Sequence, residues 1–374
     1  MMKQQIKAVA GLGILSVLLT GCVGLEDLNE NPNRTQSNNK VAVQSTVNQL
    51  SNDYYRALIV DGQYPVSKSR GVSLGLNSGF NIRNFEVGLM EISKPVYPTN
   101  QYFFQEGQIL DTKTIASWIN RKSSENPDGL NPEKNEATDA SRNPLYLAEV
   151  LEQDYMIQTE SNYELGGVSI GLAMNSVDYY SADDKNLQQD ISDETLIEKG
   201  KEMANVILSR LRQNDLLKNV PITFGIYKQT SSDDISGGVY LLDATSVEGT
   251  SVSSWNVRNN KIVTLPLLKG DPTEESVAFE NFKSEVQNFF PNLSGVTATV
   301  RYSDNVAKKM VVSIMTQFYG ESEIIALSQH VTDVANRYLP KSTPVEVRIS
   351  SINGVEAFLL QDLAQGVFTY HVFN

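Results

Sequence analysis

Cysteine occurs once in these 374 residues, at position 22, directly behind an uncharged apolar run. A chain with no second thiol has no disulfide to hold it, so whatever fold it adopts must rest on core packing. The same cysteine closes the stretch Leu19-Thr20-Gly21-Cys22, and Lys3 and Lys7 precede the run. Each part has a physical job. The lysines stay on the cytoplasmic side, Ala8 to Thr20 enters the bilayer, and small residues at Thr20 and Gly21 expose the bond before Cys22 to a membrane-embedded peptidase. This pattern predicts a lipoprotein signal peptide over 1–21, with lipid attached at Cys22 and Leu19, Thr20 and Gly21 recognised by the peptidase. A membrane-spanning anchor stays open, since Ala8 to Leu25 carries no charge and a span needs roughly 17–25 apolar residues. The Gly21-Cys22-Val23-Gly24 break suits cleavage better than a helix interior.

Acidic residues outnumber basic ones by 44 to 31, a formal charge of −13 that becomes −15 once Lys3 and Lys7 leave with the signal. That excess argues against nucleic acid as a partner and against direct adhesion of the body to anionic lipid. With 40% hydrophobic and 20% charged residues the body is of ordinary globular composition. The expectation is an extracytoplasmic protein held to the cell membrane through diacylglycerol on Cys22.

The order of patterns along the chain predicts an α+β fold with mixed, mainly antiparallel sheets, packed helices and two subdomains. Residues 22–45 are polar and aromatic-poor, which reads as a flexible tether reaching roughly 25 Å. An N-terminal domain is expected over 46–185 and a C-terminal one over 186–374. In the first, Tyr54 to Val60 is strand-like, Gly71 to Gly79 turn-rich, Thr112 to Lys122 helical, and Asn126 to Pro132 a strong breaker cluster. Pro144 to Gln153 reads as a helix, Gly167 to Asp178 as a buried apolar run, and Ser181 to Asp190 as a linker or long loop. In the second, a helix starts at Ser192 with Asp193 and Glu194 at its positive end and Arg210 and Arg212 at the other. Strands Val220 to Lys228 and Gly238 to Leu242 follow, then a helix over 273–290. A hairpin turns at Ser303-Asp304-Asn305, a helix covers Glu321 to Tyr338, and a last hairpin turns at Asn353-Gly354.

Catalytic options are narrow. The two histidines, His330 in a helix and His371 in a terminal strand, have no nucleophile elbow to serve. Histidine and cysteine clusters for a transition metal are lacking, as is a phosphate-binding loop, and Pro32 breaks the calcium-loop-like start at Asp27. No cofactor is expected and the chain does not read as an enzyme. Sixteen tyrosines, Tyr54-Tyr55 and Tyr179-Tyr180 among them, read as core and rim packing before stacking surfaces.

Several segments resemble the CamS family, the sex-pheromone lipoprotein precursors of Gram-positive bacteria. They are the stretch ending at Cys22, Ser69-Arg70-Gly71, Glu86-Val87-Gly88-Leu89, Gln105-Glu106-Gly107-Gln108, Gly129-Leu130-Asn131-Pro132, Leu151-Glu152-Gln153-Asp154-Tyr155 and Gly166 to Ser176. The resemblance implies two processing partners. Signal peptidase II cuts before Cys22, and an intramembrane protease trims the freed signal to a short hydrophobic peptide within 13–21, here Ile14, Leu15, Ser16, Val17, Leu18, Leu19 and Thr20. It implies no catalytic residue for the mature body and names no ligand. Arg70, Glu106, Asn131 and Asn175 are matched polar positions compatible with a ligand site, and equally with buried hydrogen-bond networks or turns.

Three readings of the body follow. It is a non-enzymatic carrier of the signal, or a binding module for a small solute, peptide or cell-wall glycan. The third is an enzyme using carboxylates such as Glu106 and Asp154.

Overall fold

The apolar run beginning at Gly167 forms the middle of the molecule, because its residues alternate in size as well as in direction. In the computed structural model, residues 43–70, 75–139, 141–160, 162–182, 184–289, 295–317 and 319–373 are described, and from Val43 onward they belong to one compact unit. The expected signal peptide, Cys22 and most of the expected tether lie outside the described residues.

The first elements are strands β1 (Val43–Ser45) and β2 (Arg56–Val60), helix α1 (Gly79–Ser93), strand β3 (Phe103–Glu106) and helix α2 (Thr112–Ile119). Strands β4 (Leu147–Gln158), β5 (Tyr163–Asn175), β6 (Val177–Ala182) and β7 (Lys185–Asp190) precede helix α3 (Asp193–Leu211). Then come β8 (Ile222–Gln229), β9 (Val239–Ser246), β10 (Asn256–Val257) and β11 (Asn260–Leu265). Helix α4 (Glu274–Phe289), strands β12 (Gly295–Ser303) and β13 (Val306–Met315), helix α5 (Glu321–Tyr338) and strands β14 (Val345–Ser351), β15 (Gly354–Asp362) and β16 (Val367–Val372) complete the chain.

An eight-stranded sheet runs β1-β2-β3-β4-β5-β8-β9-β10, a six-stranded sheet runs β11 to β16 in sequence order, and β6 and β7 form a separate hairpin. Three neighbouring pairs are parallel: β2 with β3, β5 with β8, and β13 with β14. Between the members of each pair lies a helix, α1, α3 and α5 respectively, as parallel strands require a crossover. All other pairs are antiparallel, in keeping with the α+β expectation.

On β5, Val168, Ile170, Leu172 and Met174 join a core with α3 and β8. The opposite face carries Ser169, Gly171 and Ala173, small enough for α1 and its aromatic neighbours to approach. A Cβ on Gly171 would lie 2.8 Å from both the Phe85 ring and the Tyr240 hydroxyl. Ser169 and Ser93 share a hydroxyl hydrogen bond of 2.6 Å across this face. The six-stranded sheet is built differently. Val296, Ala298, Val300 and Tyr302 of β12 face α4 and α5 with Met310, Val312 and Val347, while the alternate Thr297 and Arg301 are exposed.

Helix starts follow their capping residues. The Ser78, Asp111 and Ser192 side chains accept from backbone N–H groups at the heads of α1, α2 and α3. Arg212, at the C-cap of α3, does more than answer the helix dipole. It is 8% exposed and donates to the carbonyls of Gly249 (3.1 Å), Val220 (2.8 Å) and Ser246 (2.9 Å) as well as Leu217.

Four expectations are corrected. Pro144 to Gln153 is no helix: from Leu147 it is β4, because pairing with β3 and β5 on its two edges overrides the helix propensity of Leu, Ala and Glu. Ser181 to Asp190 is not a loop, since its polar residues belong to the β6–β7 hairpin. Val43 to Ser45, expected in the tether, pairs with Leu58 to Val60. The division expected at 185/186 falls within that hairpin, and the two large sheets part between Val257 and Asn260, because β8 and β9 complete the first sheet.

Candidate functional site

Four of the segments that carry the family resemblance meet at one place. A cleft of about 520 Å³ opens between α1 and the β3–β4 edge, lined by Arg70, Glu86, Glu106 and Glu152 among apolar Val87, Met90, Phe104 and Leu151. Helical spacing puts Glu86, Val87 and Met90 on one side of α1, while strand pairing sets Phe104 beside Tyr155 and Glu106 beside Gln153.

The floor is fixed by buried polar bonds. The segment before Arg70 is tied to the end of β3, since Ser67 N–H donates to Glu106 Oε2 (2.7 Å) and Lys68 N–H to the Gly107 carbonyl (3.0 Å). Gly107 lets this turn lie against β4, for a Cβ there would fall 2.6 Å from the Glu152 Cβ. The Glu152 carboxylate in turn accepts from Ile109 N–H (2.9 Å) and Leu110 N–H (2.6 Å), and Asp154 accepts from Gln108 N–H (2.9 Å). Gln153 Nε2 donates to the Glu86 carbonyl at 2.9 Å and links the strand to α1.

Electrostatics sharpen this picture. Burial, then the charge of Glu106, pushes the Glu86 carboxyl above its usual range, and Arg70 opposes the shift. Burial and Glu106 likewise push Tyr64 up to about 12. Glu152 and Asp154 are both raised by burial, and Asp154 further by the neighbouring Glu152 charge. An exposed guanidinium facing carboxylates across an apolar wall can hold a ligand with an apolar body and a hydrogen-bonding end.

The structure brings two of the four sequence candidates, Arg70 and Glu106, into this cleft. The other two lie elsewhere and tie backbone together. Asn131 accepts from Tyr146 and Leu147 N–H (2.8 and 2.9 Å) and donates to the Ile119 and Leu147 carbonyls (2.7 and 2.9 Å). Asn175 donates to the Leu145 carbonyl (2.8 Å) and accepts from Gln229. Asp154, paired with Glu106 in the enzymatic reading, is buried beneath the cleft and does not line it. His330 stacks on Phe289 at 4.0 Å, and His371 packs among Phe358 and Phe373 on β16. Tyr55 donates to the Tyr97 carbonyl and Tyr97 stacks on Tyr155 at 4.3 Å, while Tyr180 lies beneath the Arg142 guanidinium. Sequence reasoning did not single out Glu86, Met90 or Phe104 as site residues. The Glu86 to Leu89 segment held the signal, but its helix was not read.

Among the described residues no group of three or more His, Cys, Asp or Glu is placed to hold a metal, and no helix is long and apolar enough to cross a membrane.

Residues 64–365 match the CamS family, described as the CamS sex pheromone cAM373 precursor. The crystal structure of a sex pheromone precursor from Lactobacillus salivarius subsp. salivarius UCC118 is 38% identical with a TM-score of 0.84, covering 89% of this chain and 99% of that one. The C-terminal domain of the sex pheromone staph-cAM373 precursor from Staphylococcus aureus is 33% identical with a TM-score of 0.65, covering 80% of this chain and 99% of that one. No curated protein matches the chain. With four of the resembling segments meeting at one cleft and a match running over most of the body, the chain belongs to the CamS family of sex pheromone precursors.

Proposed function

We propose that this chain is a lipid-anchored extracytoplasmic protein whose cleaved signal peptide yields a short hydrophobic signalling peptide, and whose mature body works without catalysis. The observation that carries the reading is the lone Cys22 behind Leu19-Thr20-Gly21, in a member of a pheromone-precursor family. Diacylglycerol on Cys22 anchors the body to the cell membrane, and signal peptidase II and an intramembrane protease act in turn on the preceding segment. A peptide over Ile14 to Thr20 is uncharged and apolar. It partitions into a bilayer yet is short enough to leave it.

A second reading concerns the body alone. The cleft of Arg70, Glu86 and Glu106 supports a binding module for a small amphipathic solute, a peptide or a wall glycan fragment, because four separate chain segments build its walls.

Mass spectrometry of the membrane fraction and spent medium, comparing the natural chain with Cys22→Ala, tests the first reading. The expected result is a diacylglycerol-modified Cys22 plus a peptide ending near Thr20, both lost in the variant. An unmodified, uncleaved N-terminus in the natural chain would overturn it. Lipid without peptide would leave the body as the functional part, and a small molecule retained on it in native spectra would carry the second reading.

A further inference from the structure

Three charged side chains of the Arg70 cleft meet no opposite charge at contact distance. Arg70, Glu86 and Glu106 line the same cavity, and none of them forms an ion pair among the described residues. Glu106 is held from one side, by the Ser67 N–H on its Oε2 at 2.7 Å. Arg70 belongs to the same turn, its N–H donating to the Ser67 carbonyl at 3.1 Å.

One residue brings the two carboxylates together. Gln153 is the cross-strand partner of Glu106, so the two side chains project from one face of the sheet. On that face Gln153 Nε2 donates to the Glu86 carbonyl at 2.9 Å, and its Oε1 accepts from the Tyr155 hydroxyl at 3.1 Å. Glu86 and Glu106 are therefore neighbours of one pinned amide, the first above it on α1 and the second beside it on β3. Their charges register this arrangement. After burial, the Glu106 charge is what raises the Glu86 carboxyl, and Arg70 pulls it the other way. An apolar strip runs alongside. Phe104 and Leu151 each precede a member of the Glu106–Gln153 pair by two residues and so share its face, and Met90 follows Glu86 by one helical turn. All three line the cavity.

We propose that this cleft binds a small zwitterionic peptide with apolar side chains, its ammonium between Glu86 and Glu106 and its carboxylate on Arg70. The proposal rests on the binding-module reading of the body and names the class of ligand. An ammonium has three donors and no acceptor, so it suits two carboxylates at once and relieves their mutual repulsion. A guanidinium fork takes a carboxylate through two parallel hydrogen bonds. Met90, Phe104 and Leu151 receive the apolar side chains, and a volume of about 520 Å³ is of the size that small-molecule sites have. A neutral glycan fragment would leave all three charges without a counter-charge.

Isothermal titration of the full chain in a non-ionic detergent tests it, with leucyl-leucine, its C-terminal amide and its N-acetyl form as separate probes. Leucyl-leucine is expected to bind, and the N-acetyl form about tenfold or more weakly. Glu86→Gln should weaken leucyl-leucine by a similar factor, whereas Arg70→Gln should weaken leucyl-leucine and leave the amide unchanged. Both substituted side chains are exposed, so the far-ultraviolet circular dichroism spectrum should not move. An N-acetyl form that binds as tightly as the free amine, or equal affinity in a folded Glu86→Gln chain, would overturn the proposal and leave the binding-module reading standing. Equal loss of acid and amide in Arg70→Gln would overturn the place given to the carboxylate. Binding of none of the three would also overturn the proposal, and native mass spectra then separate the two ideas: a small molecule retained on the natural chain keeps the binding module, and a bare chain removes both.

Discussion

The eight-stranded sheet is covered on both faces and the six-stranded sheet on one, and most differences between the two regions descend from that. In the first, β5 alternates large with small: Ile170 and Leu172 face α3, Gly171 and Ala173 face α1. In the second, β12 alternates buried with exposed, Val300 against Arg301. Covering both faces also traps polar groups. Among the described residues the buried charged ones, Glu149, Glu152, Asp154, Asp178, Arg212 and Asp243, all precede β11, whereas the buried polar residues beyond it, such as Ser328 and Gln361, are neutral. A two-faced sheet must satisfy its polar groups internally, and a one-faced sheet leaves them to water.

The comparison can be broken at its most loaded point by Arg212→Ala. Removing a buried guanidinium that serves several carbonyls leaves those acceptors unpaired, at about 3–5 kcal/mol in total. Both tryptophans, Trp118 and Trp255, lie in the first region, so urea unfolding followed by their fluorescence should show the loss directly. A variant that unfolds at the natural midpoint would remove Arg212 from that role.

A gentler probe contrasts the sheet faces. Gly171→Val adds a residue that strands favour, yet its Cβ would press on Phe85 and Tyr240, so a loss of about 1–3 kcal/mol is expected from overpacking. Thr297→Val, on the open face of β12, should stay within about 0.5 kcal/mol. Equal effects at the two sites would erase the distinction.

The finest contrast is in pH. Glu149 is fully buried, its Oε2 has no hydrogen-bond partner among the described residues, and burial raises its pKa from 4.5 to about 7. The folded chain therefore holds this proton after the unfolded chain has released it. Stability from this group is full below pH 4.5 and declines as pH rises through 7. Glu149→Gln should gain roughly 2–3 kcal/mol at pH 8 and little at pH 4. Glu346, on the six-stranded sheet, has the opposite sign. Partial burial pushes it up, but hydrogen bonds from Arg348 and Lys309 outweigh that and hold it below the usual range. Its contribution is present at neutral pH and lost on acidification through the lowered pKa, so Glu346→Gln should cost about 0.5 kcal/mol at pH 7 and nothing in strong acid. Melting temperatures across this pH range check both signs.

Legibility in the sequence followed the same division. Helices α4 and α5 stand close to their expected bounds and both hairpins turn where expected, because one-sided burial writes its period into the residues. The first region was read less well. Strand β4 carries Leu147, Glu149, Val150, Leu151 and Glu152, a mixture that local propensity assigns to a helix. Helix α1 went unread because Asn81, Asn84 and Ser93 occupy its buried side, where periodicity arguments look for apolar residues. At the cleft, Arg70 and Glu106 were legible through the resembling segments. Asn131 and Asn175 came from the same segments but serve backbone carbonyls and amides, a distinction that residue type alone does not carry.

By itself the sequence determined the mixed α+β architecture, the absence of disulfide support, and the family, since these depend on local period, composition and ordered motifs. Tertiary structure alone decided where one sheet ends and the next begins, and which segments share a cleft. Those outcomes depend on contacts between residues far apart in the chain, such as Asn84 with Arg301, and no local pattern records which partner each side chain meets.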